Sequence, residues 1–206
     1  MRAYLTCVMT DQLDLFGTPL LAGLSYGGEV LDATEEAVLI AAIDGCDLTP
    51  FRFQGWTGKR LTTSFGWSYD FDRGRIAPGS AMPEFLLPLR MRAAAFAGLA
   101  PADLEQALLI RYGPGAGIGW HRDRPMFEHV VGISLGAPTV LRLRRRTESG
   151  FERRSLPLEP RSIYHLAGEA RHQWEHGIAA MDRTRWSVTF RSLSALGRRA
   201  SAQAQG

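Results

Sequence analysis

From about Leu108 onward the chain breaks into short apolar or alternating runs separated by glycine and proline: Leu108 to Tyr112, Val130 to Leu135, Val140 to Arg145, Ser162 to Leu166 and Trp186 to Arg191. Their β-branched and aromatic side chains suit a pleated surface, and each run has the length of a strand. Several such strands joined by tight turns predict a barrel or jelly roll. In the third run, Leu141 and Leu143 face one side and Arg142 and Arg144 the other, as in a strand with one solvated face.

Upstream, the period changes. Asp32 to Glu35 has the spacing of a capping box, and Ala37, Val38, Ile40, Ala41 and Ile43 follow at helical intervals before Gly45. A second helix is expected from near Pro83 to Gly98, with Pro88 as a kink or as the true first turn. The class is therefore α+β, with N-terminal helices packed on one face of a jelly-roll core. The tail 196–206 is rich in Ala, Gln, Gly and Ser and is expected to be disordered.

The chain of 206 residues is 45% hydrophobic and 22% charged, enough for one domain with a full core. No apolar run approaches the roughly 20 residues that span a bilayer, and Met1 to Cys7 is too short an apolar start for a signal peptide, so a cytoplasmic protein is expected; a monomer is expected as well. Cys7 and Cys46 are the only cysteines, which argues against a disulfide framework and excludes a thiolate zinc site. The net charge of +3 is compatible with a polyanionic partner without requiring one, and Lys59 is the single lysine among 24 basic residues.

The run Arg111 to Asp123 carries the first chemical signal. In a strand, His121 and Asp123 point to the same face and present an imidazole beside a carboxylate. These are two corners of the 2-His-1-carboxylate facial triad that holds non-heme Fe(II) and leaves coordination sites open. The remaining histidines are His129, His165, His172 and His176. His129 follows Asp123 closely and leads into the next strand, and His165 sits in an apolar strand as a core residue would. His176 is the favoured third ligand and His172 the alternative. Downstream, Arg185, Ser187, Thr189 and Arg191 share one face of a strand. Two guanidinium groups with Cα atoms roughly 20 Å apart can converge on a short dicarboxylate, or simply face solvent.

Taken together, these residues resemble the AlkB-like Fe(II)/2-oxoglutarate-dependent dioxygenases. The matching elements are Tyr112 with Pro114-Gly115, His121-x-Asp123, Ile133 to Gly136, Gly168 and Arg171 leading to His176-Gly177-Ile178, and Arg185 through Arg191. The resemblance implies a double-stranded β-helix, Fe(II) on His121, Asp123 and His176, and 2-oxoglutarate held by Arg185 and Arg191 with a hydrogen bond from Tyr112. It also implies oxidative demethylation, in which O2 and 2-oxoglutarate are converted to succinate and CO2 and the methyl group leaves as formaldehyde. Three positions depart from the family pattern. Ile110 stands where Asn is common, Pro125 where an acidic residue often lies near the substrate base, and Ser187 where Asn is frequent, a shorter group still able to bind the cosubstrate.

The resemblance places a nucleotide-recognition lid at about 56–75, within a dioxygenase domain spanning 21–195 whose catalytic core covers about 105–192. There Lys59 and Arg60 are expected to meet phosphates while Trp67, Tyr69 or Phe71 stacks on an extruded base, unless the aromatics form the buried face of a strand. Residues 1–20 form an extension in which Gln12, Leu13, Leu15 and Phe16 look like the linear motif that docks bacterial repair proteins on the sliding clamp, and Met9 is a second candidate start. The expected activity is DNA repair: demethylation of 1-methyladenine or 3-methylcytosine in DNA or RNA. The same chemistry on a protein, a tRNA base or a small molecule is the alternative, as is a non-enzymatic, clamp-tethered nucleic-acid-binding module.

Overall fold

The computed structural model describes residues 21–53, 56–70 and 75–205. In chain order its elements are β1 (Leu24–Gly27), α1 (Ala33–Asp44), β2 (Thr49–Phe53), β3 (Trp56–Phe65), β4 (Trp67–Asp70), β5 (Arg75–Pro78), α2 (Leu87–Ala97), β6 (Gln106–Tyr112), β7 (Ile118–His121), β8 (Phe127–Gly136), β9 (Thr139–Thr147), β10 (Gly150–Leu158), β11 (Ile163–Leu166), α3 (Gly168–His172), β12 (Glu175–Ile178), β13 (Arg185–Leu193) and α4 (Ala195–Gln205). A major sheet of seven strands, in the order β1-β11-β8-β13-β6-β3-β2, faces a minor sheet ordered β10-β9-β12-β7. This is the expected jelly roll.

The core follows from strand periodicity. Ile110, Tyr112, Val130 and Tyr164 of the major sheet point inward to meet Leu141, Leu143, Leu156 and Ile178 of the minor sheet. Their neighbours Leu109, Val131, Ile133, Val188 and Phe190 point the other way, where Leu39 and Ile43 of α1 and Leu89, Ala93 and Phe96 of α2 cover them. The central strands are thus buried on both faces, and every residue from Val130 to Leu135 is buried. Gly132 stands in that run because a Cβ there would lie 2.2 Å from the Tyr164 ring.

Both helices form as their sequences dictate. Asp32 accepts from the Glu35 amide, and the Glu35 carboxylate accepts from the Asp32 amide, closing the capping box. Pro88 lies in the first turn of α2, preceded by a single tight turn at Glu84–Leu86, and Gly98 ends the helix in the left-handed region at φ +67°. Pro88 therefore starts the helix and does not kink it.

One expectation is corrected. The tail is helical: Ser194 Oγ accepts from the Gly197 amide, and Ala200 packs against the cluster of Trp67, Phe127 and Leu193, so tertiary contact orders a sequence of low apolar content. The first part of the stretch expected as the lid is a strand of the major sheet, in which Leu61 to Phe65 pair with Arg111 to Ala107 of β6. Beyond it, β4 and β5 form a two-stranded ribbon.

Candidate metal centre

Three ligand-type side chains meet at the minor sheet. β7 and β12 are antiparallel neighbours with His121 directly opposite His176, and their ring centroids are 4.3 Å apart. Asp123 follows β7 and reaches the same point, so that one donor atom from each of the three lies within 4.8 Å of the others. The sequence-favoured triad is therefore assembled in space. His172 is not part of it: its Nε2 is 2.8 Å from Glu128 Oε1, on the exposed side of α3. His129 and His165 form a pair of their own, Nδ1 to Nε2 at 2.9 Å.

The electrostatics prepare this cluster for a cation. Burial, then the neighbouring His121, pushes His176 down to about 3, so its imidazole is neutral at physiological pH. Burial also lowers His121, against an opposing pull from Asp123. Its Nδ1 lies 2.9 Å from the Gly119 carbonyl, which can only accept, so Nδ1 carries the proton and Nε2 keeps its lone pair. Burial would raise the Asp123 carboxyl, but Arg191 and then the two histidines outweigh it and hold the group well below the usual carboxylate range. Two neutral imidazoles and one carboxylate are a suitable donor set for a divalent first-row metal.

The two arginines of β13 have different surroundings. Arg191 donates through Nε and Nη2 to Asp123 Oδ1, both at 2.7 Å, and through Nη1 to Gln106 Oε1 at 2.9 Å. It was expected at one end of a dicarboxylate clamp. The six-residue step along β13 instead places it beside Asp123, and its fork is taken up there. Arg185 is 1% exposed, donates through Nε to Ser134 Oγ at 3.0 Å, lies over the Tyr112 ring at 5.2 Å, and leaves Nη1 buried without a hydrogen-bond partner. Among the described residues no carboxylate pairs with it, and a buried unpaired guanidinium costs several kcal/mol, roughly, unless an anion completes it. That orphaned donor, close to a carboxylate-compatible pocket wall of Tyr112, Ser187 and Thr189, fits one end of 2-oxoglutarate.

The residues expected around the substrate separate clearly. A cavity of about 720 Å³ opens above the triad and is lined by Arg60, Tyr112, Trp120, Arg185 and Ser187 among others. Arg60 is 7% exposed and stacks on the Phe51 ring at 3.9 Å, so it is a wall of the cavity and not a surface phosphate ligand. Lys59 is exposed. Trp67 is 8% exposed and packed on Phe127 and Leu193, which removes it as a stacking platform. Tyr69 lies on β4 opposite Ile76. Phe71 and the clamp-like residues Gln12, Leu13, Leu15 and Phe16 lie outside the described residues.

Gln106 and Tyr164 carry no local sequence signal, whereas Ser134 and Arg171 lie in elements that resemble the family pattern without a role read for them there. Gln106 and Ser134 hold the two arginines, Tyr164 lines the cavity, and Arg171 donates to the Arg124 and Phe127 carbonyls at 2.7 and 2.6 Å, fixing the loop after Asp123. Strand register alone could have found Gln106: β6 pairs with β13 so that Tyr112 opposes Arg185 and Gln106 opposes Arg191.

Known proteins resemble this chain in sequence and in fold. Residues 55–200 match the model of the 2OG-Fe(II) oxygenase superfamily. The chain is 30% identical over 153 residues to "Alpha-ketoglutarate-dependent dioxygenase AlkB" of Escherichia coli, covering 66% of each chain. It is 26% identical over 184 residues to "Alkylated DNA repair protein ALKBH8 homolog" of Arabidopsis thaliana, covering 77% of this chain and 51% of that one, so it spans about half the length of that relative. The solved structure of OsALKBH1 superposes with a TM-score of 0.64 at 14% identity over 82% of this chain and 96% of that one, a likeness of fold. The chain belongs to the 2OG-Fe(II) oxygenase superfamily as an AlkB-like dioxygenase, a family that works with Fe(II), 2-oxoglutarate and O2.

Proposed function

We propose that this dioxygenase oxidatively demethylates alkylated nucleobases such as 1-methyladenine and 3-methylcytosine in DNA or RNA, a repair activity. The observation that carries the reading is a His121, Asp123 and His176 triad at the floor of a cavity of about 720 Å³, wide enough for a base. The relatives' names, alkylated DNA repair protein and AlkB, point the same way.

In this reading His121, Asp123 and His176 hold Fe(II), which with 2-oxoglutarate and O2 supplies the power to insert oxygen into a C–H bond. The protein's own residues do the rest. Arg191, itself held by Gln106 Oε1, fixes the Asp123 carboxylate and keeps it ionised. Gly119 fixes the His121 tautomer. Arg185 would receive a carboxylate of 2-oxoglutarate, with the Tyr112 hydroxyl and Ser187 lining the same cavity. Leu141 and Ile178 keep water from the floor of the cavity. The hydroxylated N-methyl group then leaves as formaldehyde. Formaldehyde release from single-stranded DNA containing 3-methylcytosine, absent in His121→Ala, tests this. No release from methylated DNA or RNA, with 2-oxoglutarate still bound, would sink it.

Arg60 favours a second reading. It is a buried cation facing the cavity, without a carboxylate partner among the described residues. A base bearing an anionic substituent would complete it. Relatives from Xenopus tropicalis and Mus musculus are named tRNA (carboxymethyluridine(34)-5-O)-methyltransferases, and this chain covers 26% and 27% of their lengths. Turnover of a carboxymethyluridine oligonucleotide in preference to 3-methylcytosine, lost in Arg60→Met, would select this substrate.

A further inference from the structure

We infer that the outward face of the minor sheet is a nucleic-acid backbone track, along which the strand carrying the target base runs away from the cavity. This rests on the nucleic-acid reading above. Leu141 and Leu143 of β9 are buried, so Arg142, Arg144 and Arg146 point outward. On β10, Arg153 lies opposite Arg144 and Phe151 opposite Arg146, on the same outward face.

These side chains form a continuous ladder with two aromatic rings. Arg142 and Arg144 lie over Trp120 at 5.1 and 4.5 Å, Arg144 also lies over Phe151 at 4.4 Å, and Arg153 and Arg146 approach Phe151 at 5.7 and 6.0 Å. Stacking holds the guanidinium groups against the two rings as cations that can meet a phosphate. Arg142 Nε is buried without a hydrogen-bond partner.

Charge separates the two faces of the hairpin. Arg145 and Arg154 are neutralised by Glu152 and Glu169 in a network that ties β10 to α3. Outward, Glu175 pairs with Arg144, and Arg142, Arg146 and Arg153 have no carboxylate partner among the described residues. A chain of net charge +3 thus concentrates uncompensated positive charge on one strip. Trp120 joins that strip to the cavity it also lines. From β7 to β10 the strip spans three strand spacings, about 14 Å, enough for a few nucleotides beyond the bound base.

The experiment measures affinity of the full chain for a fluorescent single-stranded DNA 15-mer between 50 and 200 mM salt. Removing three phosphate contacts in Arg142→Gln/Arg146→Gln/Arg153→Gln should flatten the log–log salt slope by about 2, so the wild-type advantage shrinks roughly 15-fold across that range. The corresponding triple lysine variant should keep most of the slope. A methylated trinucleotide, too short to reach Phe151, should be turned over equally by all three proteins. An unchanged slope in the glutamine variant, loss of the slope in the lysine variant, or tighter binding of polyglutamate than of DNA overturns the track. If the slope changes as expected but no methylated substrate is turned over, the track stands and the demethylase reading fails. If the trinucleotide is turned over and the slope is unchanged, the demethylase reading stands and the track falls.

Discussion

Arg185→Met separates cosubstrate binding from stability. In the metal-free protein the variant loses the bond from Nε to Ser134, worth roughly 1.5–3 kcal/mol as a charge-assisted bond, and the stacking on Tyr112 at 5.2 Å, about 1 kcal/mol more. It also removes the desolvation penalty of a guanidinium that is 1% exposed with one nitrogen orphaned, roughly several kcal/mol. Methionine fills much of the same volume, so the two sides nearly cancel. Urea unfolding of the metal-free variant should give a stability within about 1 kcal/mol of wild type, or above it. Its 2-oxoglutarate affinity should fall by about 2–5 kcal/mol, roughly 30-fold to several thousandfold, because a buried charge pair loses one partner. Calorimetry under anaerobic conditions measures this. A variant that is destabilised by more than about 3 kcal/mol while binding 2-oxoglutarate normally would show that Arg185 is a structural cation, and the argument from its orphaned donor would be wrong.

Further outcomes follow from other contacts. Arg191→Gln frees the Asp123 carboxylate from its fork and should weaken metal affinity by about 10- to 100-fold in a competition titration, with wild-type affinity refuting the positioning role. Gly132→Ala drives a methyl into the Tyr164 ring and should cost about 1–3 kcal/mol of unfolding free energy. His165 is held down to about 4 by burial and then by His129, so the unfolded chain takes up a proton between about pH 6.5 and 4 that the folded chain refuses. That contribution is absent above pH 6.5, erodes stability by up to about 3 kcal/mol as the pH falls to 4, and levels off below. Urea midpoints across this range, compared with His165→Gln, measure it, and equal slopes for the two proteins would remove His165 as the cause.

What the sequence made legible was local or periodic. The capping box at Asp32 and Glu35 is an interaction between residues three apart, and the alternation of Leu141 and Leu143 with Arg142 and Arg144 needs only one strand. His121 and Asp123 could be read as neighbours for the same reason. Their meeting with His176 depends on β7 lying beside β12, which no spacing encodes, and the family pattern supplied it. The failures are all tertiary. The alternation of Phe65, Trp67, Tyr69 and Phe71 left Trp67 open as a stacking residue or as part of a buried strand face, and the helix after Ser194 covers it. That helix, in turn, is stabilised by the strand end it packs on more than by its own composition. The resemblance implied that Arg191 shares 2-oxoglutarate with Arg185, and its contact with Asp123 depends on the loop after β7 that Arg171 holds in place.

The central claim is that His121, Asp123 and His176 form one iron site that 2-oxoglutarate completes. Anaerobic titration of Fe(II) into the full chain, with and without 2-oxoglutarate, tests it most directly. The account predicts one Fe(II) per chain, 2-oxoglutarate binding that depends on the metal, loss of both in His121→Ala and His176→Ala, and retention of both in His172→Ala. Stoichiometric binding that survives His121→Ala, or that is lost with His172 and kept without His176, would contradict it.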